Sequence, residues 1–179
     1  MQVQAQDDQG SELPPGQTGE IAVTGPAVFA GYHDNPDANA KAFRDGWFLT
    51  GDLGHMDEQG FLYLTGRSSD MFISGGSNIH PREIEEKLLT HPDLSEAVVL
   101  GTPDPVWGEA GLAVCVSRPG HTPDPQAVLD WLAPRIPGYK RPKRLILWDS
   151  LPKSAYGKIT RPMIRQALIE RGEWPQAPG

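Results

Sequence analysis

The sequence predicts an α+β fold: a small mixed-sheet C-terminal domain with flanking helices, preceded by a β-rich stretch. Three observations lead there. Residues 20–65 are dominated by short alternating or aromatic runs bounded by glycine. From Ser69 onward the period changes, and amphipathic helical segments mix with short apolar runs. Strands and helices then follow one another without the strict alternation of a parallel doubly wound sheet, which marks residues 70–172 as an α+β domain.

Met1 to Gly19 is rich in Gln, Asp, Gly and Pro and reads as a loop or frayed end. Glu20-Ile21-Ala22-Val23-Thr24 alternates, carries β-branched residues and stops at Gly25-Pro26, so it reads as a strand. Asn35 to Phe43 has helical composition with Pro36 early. Gly46–Thr50 and Gly60–Thr65 are aromatic-rich runs, read as a hairpin or adjacent strands separated by Gly51–Gln59. Met71-Phe72-Ile73 precedes the flexible Ser74-Gly75-Gly76-Ser77-Asn78, and Pro81 opens a helix over Arg82–Thr90 with Ile84 and Leu88 on one face. Ala97–Gly101 and Leu112–Ser117 are buried-strand candidates. Thr122 or Asp124 caps a helix carrying Val128, Leu129 and Leu132; Leu145–Trp148 is a further strand; Thr160 caps a last helix through Ile164 and Leu168.

Composition narrows the function classes. No apolar run approaches the ~20 residues that span a bilayer, and residues 1–19 lack the apolar core of a signal peptide. The one cysteine, Cys115, lies in an apolar run and forms no internal disulfide, so a reducing cytoplasm is the expected location. Five scattered histidines have no metal-ligand spacing, and no metal site is assigned. The net charge of −7 is unevenly spread: residues 1–134 hold 6 Lys+Arg against 20 Asp+Glu, residues 135–179 hold 10 against 3. A basic tail points to an anionic ligand, whether nucleic acid, nucleotide phosphates or the phosphates of coenzyme A; the acidic body opposes nucleic acid.

Three motifs stand in order. The first is Trp47-Phe48-Leu49-Thr50-Gly51-Asp52-Leu53. The second runs from Gly66-Arg67-Ser68-Ser69-Asp70 through Ile73-Ser74-Gly75-Gly76-Ser77-Asn78-Ile79-His80-Pro81 to Glu83-Ile84-Glu85. The third is Pro152-Lys153-Ser154-Ala155-Tyr156-Gly157-Lys158-Ile159-Thr160-Arg161. Together they resemble the C-terminal portion of the adenylate-forming AMP-binding ligases, nearest in wording to acyl- and aryl-CoA synthetases. The resemblance covers roughly residues 16–172. It implies that residues 1–68 are the β-rich C-terminal end of a large AMP-binding domain, and that 69–179 form a mobile C-terminal domain with its hinge near Ser69.

The resemblance also implies roles. Asp52 would hold the adenylate ribose, a task suited to a carboxylate that accepts two hydrogen bonds; by residue type alone it is a turn aspartate. Arg67 would reach ribose and phosphate; the alternative is a surface salt bridge. Ser69 falls at the hinge, where the family usually has Asp or Lys, which puts any special hinge electrostatics in doubt but not backbone rotation. Asp70 matches the second hinge aspartate or caps the turn. Gly75 and Gly76 do not form a phosphate loop, since no Gly-Lys-Ser/Thr follows; the family uses this turn to line the pantetheine channel. Trp107 and Tyr139 would pack against the coenzyme, with Arg141 on its phosphates; a core tryptophan and a solvated basic run are the competing readings.

Lys158 would be the catalytic side chain, its ammonium offsetting charge on the carboxylate and α-phosphate as pyrophosphate leaves. The implied chemistry uses ATP, with Mg2+ in the parent enzyme, and CoA. It requires a carboxylic acid substrate whose pocket lies in the missing N-terminal AMP-binding domain, together with that domain's phosphate loop. The chain alone is therefore expected to be inactive. The alternative is a stand-alone module that binds CoA or an adenine nucleotide without catalysis.

Overall fold

The computed structural model describes residues 1–175. The last four residues of the domain assigned to 69–179 lie outside them. The chain divides into two compact units, Met1–Ser69 and Asp70–Gly179.

The first unit is built on a five-stranded antiparallel sheet of β1 (Gln2–Gln6), β2 (Gly19–Thr24), β3 (Phe43–Arg44), β4 (Trp47–Met56) and β5 (Leu62–Arg67), in the order β1-β2-β4-β3 with β5 also on β4. Helix α1 (Pro36–Ala42) is capped by Asn35, whose side chain accepts from the Ala38 amide. Three expectations are corrected here. The supposed loop at the start contains β1, paired with β2 from Gln2↔Thr24 to Gln6↔Glu20; its apolar face is only Val3 and the buried Ala5, too small to stand out among the glutamines. The helix ends at Ala42, and Phe43 turns into strand geometry to join Phe29 and Phe48 at ring distances of 5.6 and 5.3 Å. The second strand does not stop at Thr50 but continues to Met56; the turn is Asp57–Gly60, where Asp57 accepts from the Gln59 and Phe61 amides.

The second unit holds a mixed sheet. Strands β6 (Phe72–Ser74) and β7 (Ser77–Ile79) form a hairpin, and β8 (Leu94–Asp104) and β9 (Gly108–Ser117) a longer one. Strand β10 (Arg144–Trp148) lies parallel to β9, and parallel neighbours need a crossover, which α3 (Pro125–Leu132) provides. Asp124, not Thr122, caps α3 through the Ala127 amide. Helices α2 (Pro81–Leu88) and α4 (Arg161–Glu170) complete the unit. Thr160 precedes α4 but makes no side-chain cap. Pro162 removes one of the two amides such a cap would use, and the other, that of Met163, bonds the Thr160 carbonyl.

Period-two alternation sorts β8 and β9 between two cores. Val99, Ala113 and Cys115 face α2 and α3 in one cluster with Ile84, Leu88, Val128 and Leu132. Val98, Leu100, Leu112, Val114 and Val116 face α4 in another with Ile164 and Leu168. Both faces of β9 are thus covered, which is why its sequence is a continuous apolar run.

Cys115 is fully buried in the first cluster, and burial, with the nearby Glu85 charge adding to it, pushes its thiol up to about 12. An acid whose folded-state value is raised contributes stability that is complete below the unfolded thiol's range and lost as pH rises through about 12. Thiol alkylation at pH 8 should therefore require unfolding: iodoacetamide labelling of Cys115 is expected only as the fold melts in denaturant, and rapid labelling of the folded chain would contradict this burial.

Candidate functional site

Two groups of sequence-selected residues are assembled, one in each unit. In the first unit Asp52 and Arg67 are cross-strand partners in β4 and β5, and Arg67 Nε donates to Asp52 Oδ1 at 2.8 Å. Thr50 Oγ1 accepts from the Asp52 amide at 3.1 Å and donates to the Ile21 carbonyl, so the Thr-Gly-Asp segment is tied to β2. Arg67 is 60% exposed, and an ion pair that open to water is weak enough to rearrange around a ligand. Ser68 Oγ donates to the Gly51 carbonyl. Ser68, Ser69 and Asp70 form a single 3-10 turn at the division between units.

In the second unit, Trp107, Tyr139 and Arg141 line one cavity of about 300 Å³ together with Ser74, Ala110, Gly138, Pro142 and Lys143. Local sequence places each of them. Gly75-Gly76 is a two-residue hairpin loop in which both residues have positive φ, +55° and +80°, the conformation glycine adopts without cost. The Gly75 amide donates to the Trp107 carbonyl at 2.9 Å, and the Trp107 ring lies so close that a Cβ on Gly75 would stand 2.4 Å from its Cε3. Asp104 shapes the opposite turn: its Oδ1 accepts from the Val106 and Trp107 amides, and its Oδ2 from Lys143 Nζ at 2.7 Å. The Lys143 hydrogen bond and the Trp107 amide hold the Asp104 carboxyl below its ordinary range. Neither Gly75 nor Gly76 is among the residues lining the cavity; Gly75 acts on it through the Trp107 ring it packs against.

The basic cluster is less available than its sequence suggests. Lys140 is bonded to both carboxylate oxygens of Glu83, at 2.6 and 2.9 Å. Lys143 is held by Asp104, and Arg144 donates to the Glu173 carbonyl at 3.0 Å. Arg141 is exposed at the cavity and makes no ion pair among the described residues. Sequence reasoning did not single out Ser74 or Lys143, because neither residue type is distinctive until the hairpins converge.

Lys158 stands elsewhere in this unit. Its turn is closed by the Ser154 amide donating to the Lys158 carbonyl at 2.8 Å and the Lys158 amide donating to Ser154 Oγ at 3.1 Å. The lysine is exposed and has no carboxylate partner among the described residues. Asp70 is paired with Arg161, Nη1 to Oδ2 at 2.5 Å, and the same guanidinium bonds Glu85. Burial pushes the Glu85 carboxyl up, against the opposing pull of Arg161. Among the described residues no group of three or more His, Cys, Asp or Glu could hold a metal ion.

Gly75→Ala should expel the Trp107 ring and impose an unfavourable positive φ. The expected stability loss is about 1–2 kcal/mol. Urea unfolding measures the loss, and acrylamide quenching, with a Trp107→Phe control, reads increased exposure of that one ring. An unchanged ring would contradict the contact.

Comparison with known proteins identifies the lineage. Residues 83–158 match the family described as "AMP-binding enzyme C-terminal domain". The chain is 44% identical over 164 residues to indoleacetate–CoA ligase of Aromatoleum aromaticum, covering 92% of this chain and 32% of that one. Among solved structures it superposes on ATP-bound MatB from Rhodopseudomonas palustris with a TM-score of 0.88 at 38% identity, covering 93% of this chain and 34% of that one. It also superposes on o-succinylbenzoate CoA synthetase from Bacillus subtilis in complex with the acyl-adenylate intermediate, with a TM-score of 0.83 at 39% identity, covering 92% and 33%. The chain spans about a third of the length of the relatives it matches. The motifs, the fold and the sequence relationships agree: this chain belongs to the adenylate-forming AMP-binding ligase family and carries its C-terminal domain.

Proposed function

We propose that the chain works as the C-terminal part of an ATP-dependent acid–CoA ligase. A carboxylate oxygen attacks the α-phosphorus of ATP and pyrophosphate departs, leaving acyl-AMP. The sulfur of CoA then attacks the acyl carbon, the bond from that carbon to the AMP oxygen breaks, and the thiol proton passes to solvent. In this reading residues 1–68 end a large AMP-binding domain and 69–179 turn about Ser69 between the two steps. The large domain contributes the phosphate loop and the acyl pocket, so the identity of the acid is decided there. No helix among the described residues is long and apolar enough to cross a membrane, and we assign the work to the cytoplasm.

The observation that carries the CoA half is the cavity beside Trp107, Tyr139 and Arg141. The exposed Trp107 and Tyr139 rings offer flat apolar surface to a thin pantetheine arm, the side-chain-free Gly75 leaves room for the Trp107 ring, and Arg141 is left to meet phosphate. Lys158 fits the adenylation half: an ammonium without a competing carboxylate partner among the described residues, on an exposed turn, is free to approach an α-phosphate. Asp52 and Arg67 would bind ribose, opening their mutual ion pair to do so.

A binding-only module is the second reading, favoured by one fact: every residue lining the cavity belongs to the second unit. Calorimetry of the 179-residue chain with CoA, alongside an ATP–pyrophosphate release assay, separates the two. Under the ligase reading this chain alone releases no pyrophosphate; release would overturn it.

Two outcomes are expected in the full-length enzyme. Lys158→Ala lowers adenylation by about 10²–10³ and leaves thioester formation from supplied acyl-AMP largely intact. Arg141→Ala raises the KM for CoA about 10–100-fold, the worth of a charge-assisted hydrogen bond, without changing pyrophosphate exchange. Equal loss of both half-reactions in either variant would defeat the division of labour.

A further inference from the structure

Arg161 is a heavily bonded side chain of the second unit that the proposed chemistry does not use. It is the first residue of α4, and three of its donors leave in three directions. Nη1 reaches Asp70 Oδ2 at 2.5 Å, Nη2 reaches Glu85 Oε1, and Nε reaches the Val99 carbonyl at 3.0 Å. Glu85 Oε1 also accepts from the Val99 amide at 2.8 Å. One guanidinium therefore ties the residue after the predicted pivot to α2 and to β8. Its side chain is 23% exposed, and those of Asp70 and Glu85 are 22% and 15%, so these bonds are shielded in a way that surface pairs are not.

The Lys158 turn has few other anchors. Its internal hydrogen bonds to Ser154 are local and hold only its own shape. Upstream, Lys153 pairs with Glu96 at 3.2 Å, but the lysine side chain is 48% exposed and contributes little. Leu151 is buried at the start of the segment, and Ile159 is partly buried against the second core. Downstream, the Thr160 carbonyl accepts from the Met163 and Ile164 amides within the first turn of α4, and, among the described residues, the first side chain past Lys158 to hydrogen-bond another element is that of Arg161.

We propose that Arg161 is a positioning residue for the adenylation step: by joining the start of α4 to Asp70, Glu85 and Val99, it registers the Lys158 turn against the segment that follows the pivot. When the second unit turns, the lysine then travels with that segment rather than lagging on a loose loop. Lysine at this position would keep the charge but lose the planar fork that spans three partners. Removing the cation altogether leaves two carboxylates facing each other, one of them already resisting ionisation through burial.

The proposal rests on Lys158 serving adenylation, and the test separates the two. In the full-length enzyme, Arg161→Gln and Arg161→Lys are compared with wild type in pyrophosphate exchange, in thioester formation from supplied acyl-AMP, and by hydrogen exchange of peptides covering residues 67–73 and 151–160. For Arg161→Gln, the expected result is a fall in adenylation kcat of up to about 10²-fold, the cost of a misplaced catalytic group. The KM for ATP and the thioester step should stay within about twofold, with faster exchange in both peptides and none in β9. Arg161→Lys should fall between. Unchanged exchange in the 151–160 peptide, or equal loss of both half-reactions, overturns the proposal. A wild-type enzyme that makes no adenylate defeats the reading of Lys158 instead, and the exchange rates alone then decide whether Arg161 anchors the turn.

Discussion

Strand β9 has no face left for water, and the second unit is arranged around that constraint. Leu112, Val114 and Val116 must be covered on one side, Ala113 and Cys115 on the other, and burying this much apolar surface is the main force available to a domain of this size. Helices α2 and α3 close one side and α4 the other. The three-layer packing in turn decides where the loops emerge. The β8–β9 hairpin delivers Trp107, the β6–β7 hairpin delivers Ser74, and the segment entering β10 delivers Tyr139 and Arg141 to one cavity. The site is a consequence of how β9 is sandwiched, and its residues come from three parts of the chain that share no local pattern.

Electrostatics then decides which charges remain usable. The basic run from Lys140 to Arg144 carries four cations in five residues, yet internal carboxylates occupy both lysines and a backbone carbonyl occupies Arg144. The acidic body that made the net charge negative is the partner of its basic tail. Each pairing turns mobile charge into fixed architecture: Lys140 ties the 3-10 turn bearing Tyr139 to α2, and Lys143 ties the Trp107 turn to the segment before β10.

Much of this was legible beforehand, and the failures are instructive. The first helix start was legible at Asn35-Pro36, whereas the start of α3 was open between Thr122 and Asp124 until the Ala127 amide is seen to bond Asp124. Buried strands in the second unit were clear because both-face burial leaves an unbroken apolar run. β1 was not, since its apolar face consists of two small residues, Val3 and the buried Ala5, between glutamines. The ends of β8 were underestimated because Pro103 and Asp104 look like turn residues, although a hairpin rim accommodates both. At the site, residue types could be named from motifs, but partnerships could not: that Asp52 faces Arg67, or that Asp70 meets Arg161 across 91 positions, depends on registers only the folded chain displays.

The grip of Glu85 and Arg161 on Val99 has a consequence for how the molecule avoids its own kind. Among the described residues, β8 pairs with β9 on one side and with no strand on the other. Such an edge is a ready template for another chain's backbone. Here the Val99 amide is met by a carboxylate and its carbonyl by a guanidinium, so two side chains occupy the places an incoming strand would take. The charges that steady the Lys158 turn also act as a plug against strand addition, and weakening them would expose the domain to sticking edge to edge.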